Sequence, residues 1–185
     1  MDTALPSCFS YLPGWVADQD QAYADLVDAI GWEQNDITIA GRTIKIPRLT
    51  CWMGEAAYTY SGVRNEPRPM PEPLAELHQR LERESSAAYN SCLANLYRDG
   101  RDSISYHSDD EPELGTRPTI ASLSLGDRRR FTVRHRASGQ TWSLDLGGGD
   151  LLIMRDESQS DYRHAVPKTR RPVGPRMNLT FRWFG

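Results

Sequence analysis

Hydrophobic and polar positions follow two different periods along this chain, and the change falls near residue 90. Before it, Tyr23, Leu26, Val27 and Ile30 recur at three- and four-residue spacing, which predicts a short amphipathic helix over 21–30, with Asp20 near its start and Gly31 just past its end. Leu74, Leu77 and Leu81 repeat that spacing over 74–89, behind Pro71 and Pro73, and predict a second helix. Between the two, residues 37–46 alternate apolar and polar side chains on either side of Ala40-Gly41, the pattern of a hairpin. Residues 47–73 are rich in proline and aromatics and show no period. They are expected to be irregular, with a short strand at Tyr58 to Tyr60, and a long irregular stretch in a compact fold suits a lid or binding loop.

After Ser91 the period becomes two. Strands are expected at 92–97, 103–107, 119–125, 131–135, 141–146, 150–154 and 177–183, separated by turns rich in Gly, Asp, Pro or Arg. Leu151-Leu152-Ile153-Met154 is apolar throughout, as an inner strand covered on both sides would be. Many short strands after a helical start predict a mainly β fold with flanking helices, built on a two-sheet sandwich or jelly roll. At 185 residues the chain is expected to be a single domain, with 1–90 as an N-terminal extension and 91–185 as the jelly-roll core.

Composition narrows the class. Charged residues make up 25% and hydrophobic residues 38%, ordinary values for a soluble protein, and there is no run of about 18 apolar residues of the kind that spans a membrane. Asp2 and neighbouring polar residues do not resemble a secretory signal, so a cytoplasmic location and no membrane partner are expected. Cys8, Cys51 and Cys92 are odd in number and widely spaced, which fits neither a disulfide framework nor a paired-cysteine zinc site. The net charge of −3 argues mildly against strong non-specific binding to nucleic acid. It conceals a local excess, however: Arg128, Arg129 and Arg130, then Arg134 and Arg136, lie in and beside one strand. They suit either phosphate contacts or a solvated charged face.

Candidate chemistry centres on His107-Ser108-Asp109-Asp110-Glu111. An imidazole and a carboxylate two positions apart in a strand point to the same side and can reach one metal ion. A third ligand must then come from far along the chain, and His164 is the natural candidate. Two His and one carboxylate form the facial triad of non-haem iron(II), which leaves positions open for oxygen and a co-substrate. An exposed acidic turn would leave the same trace in the sequence. The C-terminal stretch adds to this: period two puts Met177, Leu179 and Phe181 on one face and Arg176, Asn178, Thr180 and Arg182 on the other. A solvated outer strand would alternate in the same way. Two guanidiniums on one face, however, gain from an anion between them, and arginine forks suit carboxylates. Asn95 and Tyr97 repeat the arrangement around Leu96, so a dicarboxylate such as 2-oxoglutarate could be held beside the metal. His78 and His135 have no ligand spacing and are expected to be structural or surface residues.

These fragments in this order, Asn95-Leu96-Tyr97-Arg98-Asp99-Gly100, His107-x-Asp109-x-Glu111, Ala121-Ser122-Leu123-Ser124-Leu125-Gly126, His164 and Arg176-x-Asn178-Leu179-Thr180-Phe181-Arg182, resemble the AlkB family of iron(II)/2-oxoglutarate-dependent dioxygenases, which remove alkyl groups from nucleic-acid bases. The resemblance runs from about Tyr58 to Arg182. It implies a double-stranded β-helix, with iron(II) on His107, Asp109 and His164, and 2-oxoglutarate and O2 as co-substrates. Arg176 would pair with the distal carboxylate of 2-oxoglutarate, helped by Tyr97. Arg182 and Asn95 would serve its chelating end, and Asn178 and Thr180 would line the pocket. It further implies that residues before 90 include a nucleotide-recognition lid, in which Tyr58 and Tyr60 clamp a flipped base. Asp110 and Glu111 match positions at the base, where a carboxylate suits cationic 1-methyladenine or 3-methylcytosine. The 37–46 hairpin sits where some duplex-active relatives carry a base-flipping finger, and Ile39 is its available wedge. The expected partner is alkylated nucleic acid, DNA before RNA, and the expected state is a monomer. Two alternatives stand: a same-fold enzyme acting on RNA or protein, and a jelly-roll binding module, which would form no succinate.

Overall fold

The computed structural model describes residues 4–39, 41–55, 58–60 and 63–185, without the side chains of 38–39, 58–60 and 63–65. Two antiparallel sheets dominate it. The larger has six strands in the order Phe9–Leu12, Asp150–Met154, Ile120–Gly126, Arg176–Arg182, Ser91–Tyr97, Leu49–Gly54. The smaller has four: Thr141–Leu146, Arg129–His135, Tyr162–Val166, Ile104–His107. Their facing sides share a cluster of Phe9, Tyr97, Ile120, Phe131, Val133, Leu146, Leu152, Met154 and Val166. The two sheets thus make the expected jelly roll. From Ser91 on, most consecutive strands fall in opposite sheets, which is why residues far apart in the chain end up across from one another.

The helices cover the other side of the large sheet. Gln19–Ala29 begins two residues earlier than its apolar spacing predicts, because Asp18 rather than Asp20 caps it, accepting the backbone N–H of Gln21. Glu72–Ser85 stops before the predicted end because Ser86 turns into the left-handed region at φ 53°. Leu26, Leu74 and Leu81 from these helices are fully buried against Cys92, Leu123, Leu125, Leu151, Met177, Leu179 and Phe181. Each such side chain contributes roughly 1.5–3 kcal/mol of burial. His78, as expected, is structural: its Nε2 lies 2.8 Å from the Tyr89 carbonyl and its ring stacks on Phe181 at 5.7 Å.

Several strands depart from the sequence expectation, among them Tyr162–Val166 in the small sheet. The stretch 47–73 contains a buried strand, Leu49–Gly54, in full register with Ser91–Tyr97. It shows no alternation because both of its faces are covered, and Phe9–Leu12 closes the opposite edge of the same sheet. The first ninety residues therefore supply both edges of the large sheet as well as a peripheral extension. The hairpin Asp36–Ile39 and Arg42–Lys45 forms as expected, with Ile39 opposite Arg42 and Gly41 at φ 76°. Ala40 of its turn and the Ile39 side chain lie outside the described residues.

Candidate active site

The C-terminal strand builds the floor of the site. Arg176, Asn178, Thr180 and Arg182 are 1–8% exposed, so the solvated outer strand does not occur. The reason is that both faces are covered: Met177, Leu179 and Phe181 lie under the helices, and the polar face looks into the space between the sheets. Register sets its neighbours, with Tyr97 beside Arg176, Asn95 beside Asn178 and Leu93 beside Thr180 on one flank, and Ser124 and Ser122 on the other.

At one end Arg176 donates to the Leu146 carbonyl through Nε (3.1 Å) and to Ser124 Oγ through Nη2 (2.7 Å), and its Cζ sits 5.3 Å from the Tyr97 ring centre. Its Nη1 is buried with no partner among the described residues. Burial pulls the guanidinium down to about 10, against the opposing pull of Tyr97, so it stays charged at neutral pH. A buried cation with an unused donor is the complement of a carboxylate oxygen.

The roof is the small sheet. His107 and His164 are register partners on adjacent strands, with ring centres 4.3 Å apart. The pairing shifts between His164↔His107 and Val166↔Ile104, so the edge strand Ile104–His107 carries one extra residue there. In a regular strand His107, three positions after inward-facing Ile104, would point outward; the bulge at the two residues between them turns it back into the pocket. Strand period does not bring Asp109 to the site, contrary to the expectation for His107-x-Asp109: the strand ends at His107, and Asp109 is brought in by the loop that follows. Its backbone N–H donates to Gln159 Oε1 at 3.0 Å. Ligand atoms of His107, Asp109 and His164 lie within 4.8 Å of one another.

Electrostatics suit these three to a cation. His107 Nδ1–H donates to the Ser105 carbonyl (2.9 Å), which leaves Nε2 as the nitrogen with a lone pair. Burial, with His107 alongside, pulls His164 down to about 3, so its imidazole is neutral, and its Nδ1 is buried without a partner among the described residues. Burial alone would raise the Asp109 carboxyl, but Arg182, His164 and His107 outweigh it and hold it well below the usual carboxylate range. Arg182 donates to Asp109 Oδ2 from Nε (3.2 Å) and Nη2 (2.8 Å). Two imidazoles, that of His164 neutral, and one carboxylate around a partnerless buried nitrogen fit a divalent metal with open positions.

The other expected site residues divide. Asn178 Nδ2 donates to Ser122 Oγ and the Leu123 carbonyl, and Thr180 Oγ1 donates to Asn178 Oδ1, so this pair is held rigid in the pocket wall. Asn95 accepts 2.7 Å from Nε of Arg48, a buried pocket residue that the sequence analysis passed over because it follows Pro47 in the stretch taken as irregular. Thr50, Trp52 and Gln159 were passed over as well; nothing in a lone sequence marks them. Tyr58 and Tyr60 lie in a strand pairing with Val63–Asn65, but their side chains are outside the described residues. Asp110 is exposed and paired with Arg136 at 3.1 Å, and Glu111 is half-buried; among the described residues neither lines the pocket. Asp36 and Ile37 of the hairpin do.

The fold divides the arginine run, which does not form the expected phosphate-binding face as a unit. Arg129 is 2% exposed and donates to the carbonyls of Asp99, Asp102 and Pro167, so it faces the interior and offers no phosphate contact. Arg128 donates 2.7 Å to buried Asp150, and Arg130 lies 3.8 Å from Asp145. Period two explains the split: alternate members of a run in one strand must point to opposite faces.

A jelly roll with two His and one Asp over a buried arginine pocket defines a class, the facial-triad oxygenases. Residues 9–182 match the model of the 2OG-Fe(II) oxygenase superfamily. Human "Alpha-ketoglutarate-dependent dioxygenase alkB homolog 3" is 41% identical over 182 residues, covering 92% of this chain and 64% of that protein. Human "DNA oxidative demethylase ALKBH2" is 34% identical over 156 residues, covering 79% and 60%. The solved structure of OsALKBH1 superimposes with a TM-score of 0.70 at 20% identity, covering 98% of this chain and 99% of that one. The chain belongs to the 2OG-Fe(II) oxygenase superfamily and, within it, to the AlkB family. It spans about 64% of the length of the first of these relatives. Membership implies iron(II), 2-oxoglutarate and O2, and the donor set described above fits them.

Proposed function

We propose that this protein is an iron(II)- and 2-oxoglutarate-dependent dioxygenase that demethylates N-alkylated bases, of the 1-methyladenine and 3-methylcytosine type, in DNA. The observation that carries the proposal is the convergence of His107, Asp109 and His164 above a pocket whose far end is the partnerless Nη1 of Arg176. Two similar proteins bear the names of an alpha-ketoglutarate-dependent dioxygenase and a DNA oxidative demethylase, which supports both the co-substrate and the nucleic-acid substrate.

His107 Nε2, His164 and an Asp109 oxygen would hold iron(II). Arg176, oriented by Leu146, Ser124 and the Tyr97 ring, would take the distal carboxylate of 2-oxoglutarate, and Asn178 and Thr180 would wall it in. Arg182 keeps Asp109 ionised and aimed; Gln159 fixes the backbone beneath it. When bound, iron with 2-oxoglutarate and O2 oxidises the N-linked methyl to hydroxymethyl, with succinate and CO2 as co-products. The hydroxymethyl base then loses formaldehyde. The protein's part is to hold these groups, keep water out and place the methyl. Tyr58 and Tyr60 would clamp the extruded base, and Asp110 and Glu111 would favour a cationic lesion. Asp110 would first have to leave Arg136.

Formaldehyde release from single-stranded DNA carrying one 1-methyladenine or 3-methylcytosine tests this. Release is expected only with both iron(II) and 2-oxoglutarate present, and more from DNA than from RNA of the same sequence. Succinate formation that no methylated oligonucleotide stimulates would overturn the substrate assignment.

A further inference from the structure

The outward face of the small sheet, behind the metal-ligand strands, holds a second concentration of positive charge. Arg134 and Arg163 are register partners on neighbouring antiparallel strands, one residue away from Val133 and His164, which face inward. Directly opposed like charges destabilise a sheet, and at about 5 Å between strands these two have little room to separate. Neither has an ion pair or hydrogen bond among the described residues. Asp110 pairs with Arg136, another residue of the same hollow, which also donates to Ser108 Oγ at 2.7 Å. Arg134, Arg136 and Arg163 line one hollow together with His135 and Tyr106.

Tyr106 completes the hollow. The same bulge that turns His107 into the pocket turns Tyr106 outward, and it is 41% exposed, one of few large apolar side chains left in solvent among the described residues. It sits on Ile104–His107, the edge strand of its sheet, so a chain leaving the pocket needs to pass only one strand to reach it. Cations with an exposed ring among them are what single-stranded nucleic acid requires: phosphates meet the guanidiniums and an unpaired base stacks on the ring. A duplex offers no free base face, and an acidic peptide would leave the ring unused.

We propose that this hollow binds an unpaired nucleotide flanking the one in the pocket, with its phosphate between Arg134 and Arg163 and its base on Tyr106. This deepens the nucleic-acid assignment given above and rests on it. It also replaces the sequence run Arg128-Arg129-Arg130 with a cluster assembled across three strands.

The test is fluorescence anisotropy of a short labelled, unmethylated oligothymidylate with the full chain, in a salt series and without iron or 2-oxoglutarate. Arg134→Gln and Arg163→Gln are each expected to weaken binding and to reduce the slope of log affinity against log salt by about 0.7. Tyr106→Ala is expected to weaken binding about 5- to 100-fold with the slope unchanged. A matching duplex should bind less tightly and ignore Tyr106→Ala. The assignment is overturned if the parent does not bind, if both arginine variants keep the parent slope, or if Tyr106→Ala binds as the parent does. Circular dichroism confirms that these surface variants fold. Because no chemistry takes place in the assay, normal binding with no formaldehyde release would count against the demethylase proposal alone. Normal release with none of these effects would count against the hollow alone.

Discussion

Arg176 shows most clearly what one residue does here. Its guanidinium is fixed by two hydrogen bonds and a ring, and one nitrogen is left unused inside the pocket. Replacing it with Met removes a charge-assisted partner of roughly 1.5–3 kcal/mol, so the KM for 2-oxoglutarate should rise about 10- to 150-fold in steady-state turnover, with a smaller change in kcat. Arg176→Lys should restore only part of this, since a point charge cannot reproduce the fork. An unchanged KM in the Met variant would separate Arg176 from the co-substrate. Much of this residue's role is legible in the sequence: Arg176-x-Asn178-x-Thr180-x-Arg182 is a polar face with two cations. Its burial is not, because alternation says only that two faces differ; whether the polar one meets water depends on the second sheet. Arg129 is the converse case, a residue that looked like surface charge within a run of three and is an interior strut.

The bulged strand Ile104–His107 decides the metal site at the scale of an element. Its upstream end is pinned, since Arg98 holds Asp102 bidentately and Ser103 N–H donates to the Pro47 carbonyl. Deleting Ser105 would remove the extra residue and leave a regular pair in which His107, now two positions after Ile104, still faces the pocket. The expected result is a folded chain whose iron(II) affinity, measured by anaerobic calorimetry, falls by less than about tenfold. A loss of about a hundredfold or more would show that His107 has turned away and that the extra residue does not set its direction. A bulge of this kind leaves no trace in one sequence, which is why the strand-period argument reached the right pair by an incomplete route. Leu49–Gly54 and Tyr162–Val166 escaped for a related reason: the first is buried on both faces and shows no alternation, and the second is short and broken in pattern by Arg163 and His164.

Across the whole molecule, the site depends on two sheets keeping their separation. Arg129 is one of the ties, joining the turn at Asp99–Asp102 to Pro167 through three carbonyls beneath Tyr97. Arg129→Met leaves those acceptors unsatisfied and should lower unfolding stability by about 2–4 kcal/mol in urea; a loss under about 0.5 kcal/mol would mean that water replaces the tie. Layer order and the helix-covered face follow from hydrophobic periods that can be read directly. The meeting of Asp109, from a loop, with His164, more than fifty residues later, needs the fold. The most direct test of the site is an anaerobic titration of 2-oxoglutarate into the iron(II)-loaded chain, followed by the visible charge-transfer absorption of a 2-oxo acid chelated to iron. The parent is expected to develop the band and saturate, Arg176→Met to saturate only at far higher concentration, and Asp109→Ala to give none; a band of parent intensity in Asp109→Ala would contradict the triad.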